Sequence, residues 1–186
     1  MFQIYILLIW FSSCFLQKIS ALDKKQFPIL KTDSVPAKLK DVQSIDAIIK
    51  AVYDVISGDS GVKRNWDRMR TLFIPEAVMM STGKNPQGVT RYRTMTLEDY
   101  IRLSGPFLEK NGFFETEISR KTDQFGDIAH VFSTYQSKNK KTDAKPFARG
   151  INSIQLLFDG KRWWVVSIYW TGESAINQIP KKYLNN

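Results

Sequence analysis

The hydrophobic period changes at Gly112, from one residue in three or four to one in two, and this switch constrains the fold more than any other feature of the chain. Upstream of it, Val42, Ile45, Ile48, Ile49, Val52, Val55 and Ile56 write one apolar face on a helix from Val42 to Ser57, which Gly58 ends. A shorter helical pattern over Asn65 to Phe73 puts Trp66, Met69, Leu72 and Phe73 on one side, and Pro75 stops it. Ala77 to Ser81 reads as a first strand, and Gly83 to Gly88 is turn-rich. Thr96 before Leu97-Glu98-Asp99 has the form of an N-cap followed by acids in the first turn, where the helix dipole favours them. The third helix that it opens runs to about Lys110, with Gly105-Pro106 expected to kink it or break it in two.

Downstream, strands are expected at Phe113 to Gln124, Asp127 to Lys138, Ala148 to Phe158 and Arg162 to Thr171. The connections are Phe125-Gly126, a polar loop from Asn139 to Lys145, and Asp159-Gly160, a hairpin signal because Asp-Gly accepts positive φ cheaply. Helices leading into an antiparallel meander predict an α+β architecture, with the helices gathered on one face of a curved, mostly antiparallel sheet. The 186 residues suit one domain at the usual ~100–200 residues, and a 43% hydrophobic composition supplies a core and excludes general disorder. In the last strand both alternate sets are apolar: Trp164, Val166, Ile168 and Trp170 on one face, Trp163, Val165 and Tyr169 on the other. Helices cover one face, and a second subunit is the simplest cover for the other, so a homodimer through the open side of the sheet is expected.

Phe2 to Leu16 carries no charge and is shorter than the ~20 residues of a membrane span. Followed by the small residues Ser20-Ala21, it suits the core of a signal peptide. The expected organisation is a signal peptide over 1–21, an extended arm over 22–40, the domain over 41–175 and a C-terminal tail over 176–186, in a periplasmic or secreted protein. The alternative uses Phe11-Ser12-Ser13-Cys14 as a lipoprotein box, and lipidated Cys14 would then be the one route to a membrane. Cys14 is the only cysteine, so cleavage after Ala21 leaves a mature chain without disulfide, thiol or cysteine-metal chemistry. A net charge of +9 favours anionic partners. The bases are scattered, however, and their densest run, Lys138-Asn139-Lys140-Lys141, reads as a solvated face rather than a nucleic-acid site.

Three stretches give the chain a family resemblance: Phe125 to Tyr135 (FGDIAHVFSTY), Phe147 to Leu157 (FARGINSIQLL) and Asp159 to Trp170 (DGKRWWVVSIYW). With the order of elements, they make the span from Val42 to Glu173 similar to the nuclear transport factor 2-like, or SnoaL-like, superfamily. The resemblance implies a cone-shaped fold with a pocket between the helices and the concave sheet. It implies no single activity, because that superfamily holds isomerases, dehydratases, hydrolases, cyclases and adaptors.

His130 is the only histidine and the natural general acid or base near neutrality. Its strand companions Ile128 and Phe132 equally allow a core histidine held by one hydrogen bond. The superfamily's enzymes place an acidic base at the bottom of the cone, which on this resemblance points to Asp67 in Arg64-Asn65-Trp66-Asp67-Arg68, paired with His130; a surface ion pair explains Asp67 as well. Asn152 and Gln155 are amides within an apolar strand and need partners, which a ligand could supply. Arg149 could clamp an anion or form a salt bridge at the pocket rim. Trp66, Tyr135, Trp164 and Trp170 are candidate walls for a flat ligand, or plain packing. One histidine without cysteines assembles no usual zinc site, and no phosphate loop, nucleophile elbow, HExxH or calcium-loop motif occurs. The sequence thus points to an exported, cofactor-independent protein binding a small, mostly apolar or anionic ligand. Its alternatives are an isomerase, dehydratase or hydrolase using His130 with Asp67, and an interaction protein working through its sheet.

Overall fold

A computed structural model describes residues 36–184. The expected signal peptide, Cys14 and residues 22–35 of the arm lie outside the described residues. The elements in order are α1 (Leu39–Val42), α2 (Ile45–Ile56), α3 (Trp66–Arg70), β1 (Phe73–Lys84), β2 (Thr90–Thr96), α4 (Leu97–Asn111), β3 (Phe114–Phe125), β4 (Ile128–Lys138), β5 (Ala148–Phe158), β6 (Trp163–Gly172) and a 3-10 turn at Lys181–Tyr183. The six strands form one sheet in the order β2-β1-β6-β5-β4-β3. Only the β1–β6 pair is parallel.

Local chemistry starts the long helices. The Ser44 hydroxyl accepts the Ala47 N–H at 3.1 Å, and α2 then buries Ile48, Ile49, Val52, Val55 and Ile56. Each such side chain contributes roughly 1.5–3 kcal/mol when fully buried. At α4, Thr96 and Asp99 form a reciprocal capping box. The expected break at Gly105-Pro106 does not occur, and α4 is continuous with Pro106 inside it. Gly105 lies against Trp66, where an added Cβ would stand 3.2 Å from the indole, so the glycine permits close packing of α4 on α3. The stretch from Ile74 to Lys84, with Pro75 near its start, belongs to a longer β1 than the pattern predicts. β2 is an edge strand that the apolar pattern does not show, because Met95 is its one buried residue.

The inner face of the sheet packs on α2, and Val131, Ile154, Leu156 and Val165 join the helix in the core. In β6 the face assignment from simple alternation is corrected by a bulge. Gln155 pairs with Ser167 but Leu156 with Val165, which leaves Val166 as an extra residue. Trp163 and Val165 therefore share the inner core with Ile168 and Trp170, while Tyr169 is 46% exposed on the outer face. The tail folds back over part of that outer face. The Thr134 hydroxyl donates to the Tyr183 carbonyl at 2.7 Å, and the Tyr183 ring lies 4.9 Å from that of Phe132. Ile128 and Tyr169 stay uncovered there.

Candidate functional site

A cavity of about 420 Å³ opens between α2, α4 and the inner face of the sheet. Its deep wall is aliphatic: Val52, Ile56, Met69, Met79 and Ile168. Aromatic rings from three elements and two loop positions line the rest, namely Tyr100, Phe107, Phe113, Tyr135, Phe147 and Trp170. Leu103, Phe107 and Phe147 are all exposed as well as cavity-lining, which places the mouth between α4 and the start of β5.

The polar end is built on strand register. Glu115 of β3 stands opposite Ser137 of β4, and Ser137 opposite Ala148 of β5, so all three reach the cavity at one end of the sheet. The Ser137 hydroxyl donates to Glu115 at 2.8 Å, and the Asn152 amide reaches its other oxygen at 3.4 Å. Asn152 also donates to the Tyr53 hydroxyl at 3.1 Å. Because Ser133 donates its proton to Glu117, Tyr53 must be the donor in its 2.7 Å bond to Ser133. The chain Asn152 to Tyr53 to Ser133 to Glu117 thereby fixes the amide so that its second N–H faces Glu115.

No lysine or arginine among the described residues forms an ion pair with Glu115. Burial pushes its carboxyl up to about 7, with the hydrogen bonds from Ser137 and Asn152 opposing the rise. Burial first, and then the Glu115 charge, also raise the phenols of Tyr53, Tyr100 and Tyr135 above the ordinary tyrosine range. The hydroxyls of Tyr100 and Tyr135 meet no hydrogen-bond partner among the described residues, and both side chains line the cavity, with that of Tyr135 lying over Gly150. A carboxyl that titrates near neutrality beside two unengaged phenols can accept a proton, donate one, or bind a polar group presented to it.

Of the residues singled out from the sequence, Tyr135, Asn152 and Trp170 line this cavity. The structure does not bring His130 and Asp67 together. His130 faces outward on β4, with Nε2 at 3.0 Å from the Ser153 hydroxyl and its ring against Phe132. Asp67 is exposed on α3 and bound by Arg70 at 2.8 Å. Arg149 is tied to Glu173 at 2.8 Å, away from the cavity. Gln155 is exposed on the outer face. Trp66 packs outside the cavity and donates to Glu109 at 3.0 Å. Trp164 donates to Asp159 at 2.7 Å with the Arg162 guanidinium 3.5 Å above its ring, on the outer side. Among the described residues no three His, Cys, Asp or Glu side chains converge as a metal site. Glu115 escapes sequence reasoning because Phe114-Glu115-Thr116-Glu117 alternates an apolar residue and a threonine with two acids, and only the strand register shows that the acids point inward.

Neither a protein-family model nor a curated protein matches the sequence. Solved structures do match the fold. A protein with a cystatin-like fold from Nostoc punctiforme aligns with a TM-score of 0.53 at 10% identity, over 76% of this chain and 97% of its own. An NTF2-like protein from Cytophaga hutchinsonii gives 0.51 at 14% identity, over 69% and 97%. A proposed dehydratase of the NTF2-like family from Streptomyces avermitilis gives 0.51 at 13% identity, over 73% and 97%. The chain has the NTF2-like, cystatin-like cone fold.

Proposed function

We propose that the cone is a container for a small, largely apolar molecule whose polar group lies against Glu115. The observation that carries this reading is the cavity itself: about 420 Å³ of mainly aliphatic and aromatic wall with its polar groups gathered at one end. Such a volume and lining are those of small-molecule sites. Uptake of the neutral fluorophore N-phenyl-1-naphthylamine tests it. Saturable uptake of one molecule per chain is expected, at least tenfold weaker in Ser104→Trp, which fills the cavity from α4. Unsaturable uptake, or uptake unchanged in that variant, would sink the reading.

A second reading is supported by the Glu115 carboxyl at about 7. A general acid or base is most effective when its pKa lies near the working pH, and the free phenols of Tyr100 and Tyr135 are placed to polarise a carbonyl. On this reading the protein is a cofactor-independent isomerase or dehydratase, with Glu115 rather than His130 and Asp67 moving the proton. The likeness to the Streptomyces avermitilis protein accords with it. Glu115→Gln should then cost roughly 10²–10⁴ in turnover with little change in binding. We also propose that the protein acts after export, on the strength of the uncharged run Phe2 to Leu16, and as a homodimer through the outer face, where Ile128 and Tyr169 are exposed. Sedimentation at micromolar concentration tests the dimer, and a monomer would remove it.

A further inference from the structure

We infer that the molecule held in this cavity is an organic cation, a protonated amine or a quaternary ammonium carried on a small apolar body. The inference rests on the container reading and names its ligand class. Charge placement carries it. The chain has 27 lysines and arginines against 18 acids, yet among the described residues Glu115 is the one charged residue in the cavity wall. Three other partly buried carboxylates of the same domain have their cation, Glu117 with Arg120, Glu173 with Arg149 and Asp41 with Arg68, while Glu109, which has none, takes its hydrogen bonds at the surface from the Arg64 backbone and the Trp66 indole. Glu115 has none, although an unpaired buried carboxylate is among the costlier groups a fold can carry. Ser137 and Asn152 nevertheless aim donors at both of its oxygens, which favours the ionised form. A carboxylate solvated by the protein but left without a counter-ion, and open to a cavity, is a half-built ion pair.

The surrounding rings supply the other half of a cation site. Tyr100 and Trp170 meet edge to face with centroids 6.3 Å apart, and Phe113 and Phe147 form a second, tilted pair at 6.1 Å. Aromatic faces attract ammonium groups more strongly once water is excluded. Among the described residues no lysine or arginine lines the cavity to hold an anion, and Arg149 is occupied elsewhere. The outer charge of +9 acts on the rate of arrival rather than on the bound state. Association of a cation should therefore speed up as salt screens that charge.

The direction of proton linkage separates this ligand class from its rival, a neutral acceptor bound by protonated Glu115. Around the carboxyl stand Tyr53 from α2, Tyr100 from α4, Tyr135 from β4 and uncharged Asn152 from β5, while Glu117 on its own strand is held by Arg120. Burial raises the three tyrosines above their ordinary range, so among these cavity groups it is Glu115 that changes charge near pH 7. A cation draws Glu115 into its ionised form and its affinity climbs with pH. A neutral acceptor needs the proton, and its affinity falls.

Calorimetry with three probes of one shape tests the inference: (2-naphthylmethyl)trimethylammonium, 2-naphthylmethanol and 2-naphthoate. The permanently charged ammonium should bind at least tenfold tighter than the alcohol at pH 8. Its affinity should weaken by up to tenfold per unit as pH falls below about 7. Glu115→Gln, which keeps the size and removes the charge, should erase both the preference and the pH dependence while leaving binding of the alcohol within threefold. Tightest binding of the naphthoate, or of the alcohol with affinity rising as pH falls, overturns the cation and leaves the container standing. Binding of none of the three, together with no saturable uptake of the neutral fluorophore, overturns both.

Discussion

Ile154 and Gln155 are neighbours on β5 and belong to different environments: Ile154 is wholly buried on the inner face, whereas Gln155 is exposed on the outer one. The same division runs along β4, where Val131, Ser133, Tyr135 and Ser137 point to the core and cavity, and His130, Phe132 and Thr134 point outward. On the outer face polar groups find ordinary partners, such as Ser153 for His130 and the tail carbonyl of Tyr183 for Thr134. On the inner face a carboxyl is removed from water without a counter-ion, and its chemistry changes. Burial, more than residue type, decides which of the two faces carries a reactive group. The sharpest break of this comparison is Ile154→Ala, which should lower stability by about 2–5 kcal/mol in urea unfolding. Gln155→Ala should stay within about 0.5 kcal/mol. Equal effects would mean that the inner face is not a packed core.

The second contrast is in pH. Glu115 rises from 4.5 to about 7 on folding, so between those values the folded chain holds a proton that the unfolded chain has lost. Its contribution to stability therefore falls as pH rises through that window and is fully adverse above 7. The whole effect is on the order of 3 kcal/mol, and cavity water screening the carboxylate makes it smaller. Glu115→Gln should flatten the fall of stability between pH 4.5 and 7, read as the urea midpoint against pH. A wild-type slope that survives the substitution would place its origin elsewhere.

The sequence displays this division unevenly, for physical reasons. α2 and β3 to β5 are legible because one set of positions is apolar and the other polar, β6 because it is a short, nearly continuous apolar run that follows a turn, and β5 begins and ends where its pattern does. β2 is hidden because an edge strand with a single buried residue needs no apolar alternation. The faces of β6 are misassigned because a bulge at Val166 displaces the alternation by one, and no residue type announces it. α4 runs on through Pro106, where Gly105 lies against Trp66, a contact between distant positions that the local Gly-Pro signal does not reveal. Within the site, Tyr135, Asn152 and Trp170 are legible as polar or aromatic residues in apolar strands. Glu115 is not, because an acid in a strand reads as solvent-facing until the register sets Ser137 opposite it.

A modest expected effect, at His130, most directly tests the outer face. His130 is the residue that chemistry alone singles out, being the only histidine, but its Nε2 is engaged by Ser153 and its ring packs on Phe132 beneath the tail. Removing the ring deletes one partly exposed hydrogen bond and one edge-to-face contact, each worth about 0.5–1.5 kcal/mol before compensation by solvent. His130→Ala should therefore lower stability by about 1 kcal/mol and leave both fluorophore uptake and the Glu115 pH dependence unchanged. Because β4 places His130 and Val131 on opposite sides of one strand, a change at His130 could reach the cavity only by displacing the strand itself. Altered uptake at unchanged stability would show that the two faces communicate, and the separation of an outer structural face from an inner chemical one would have to be given up.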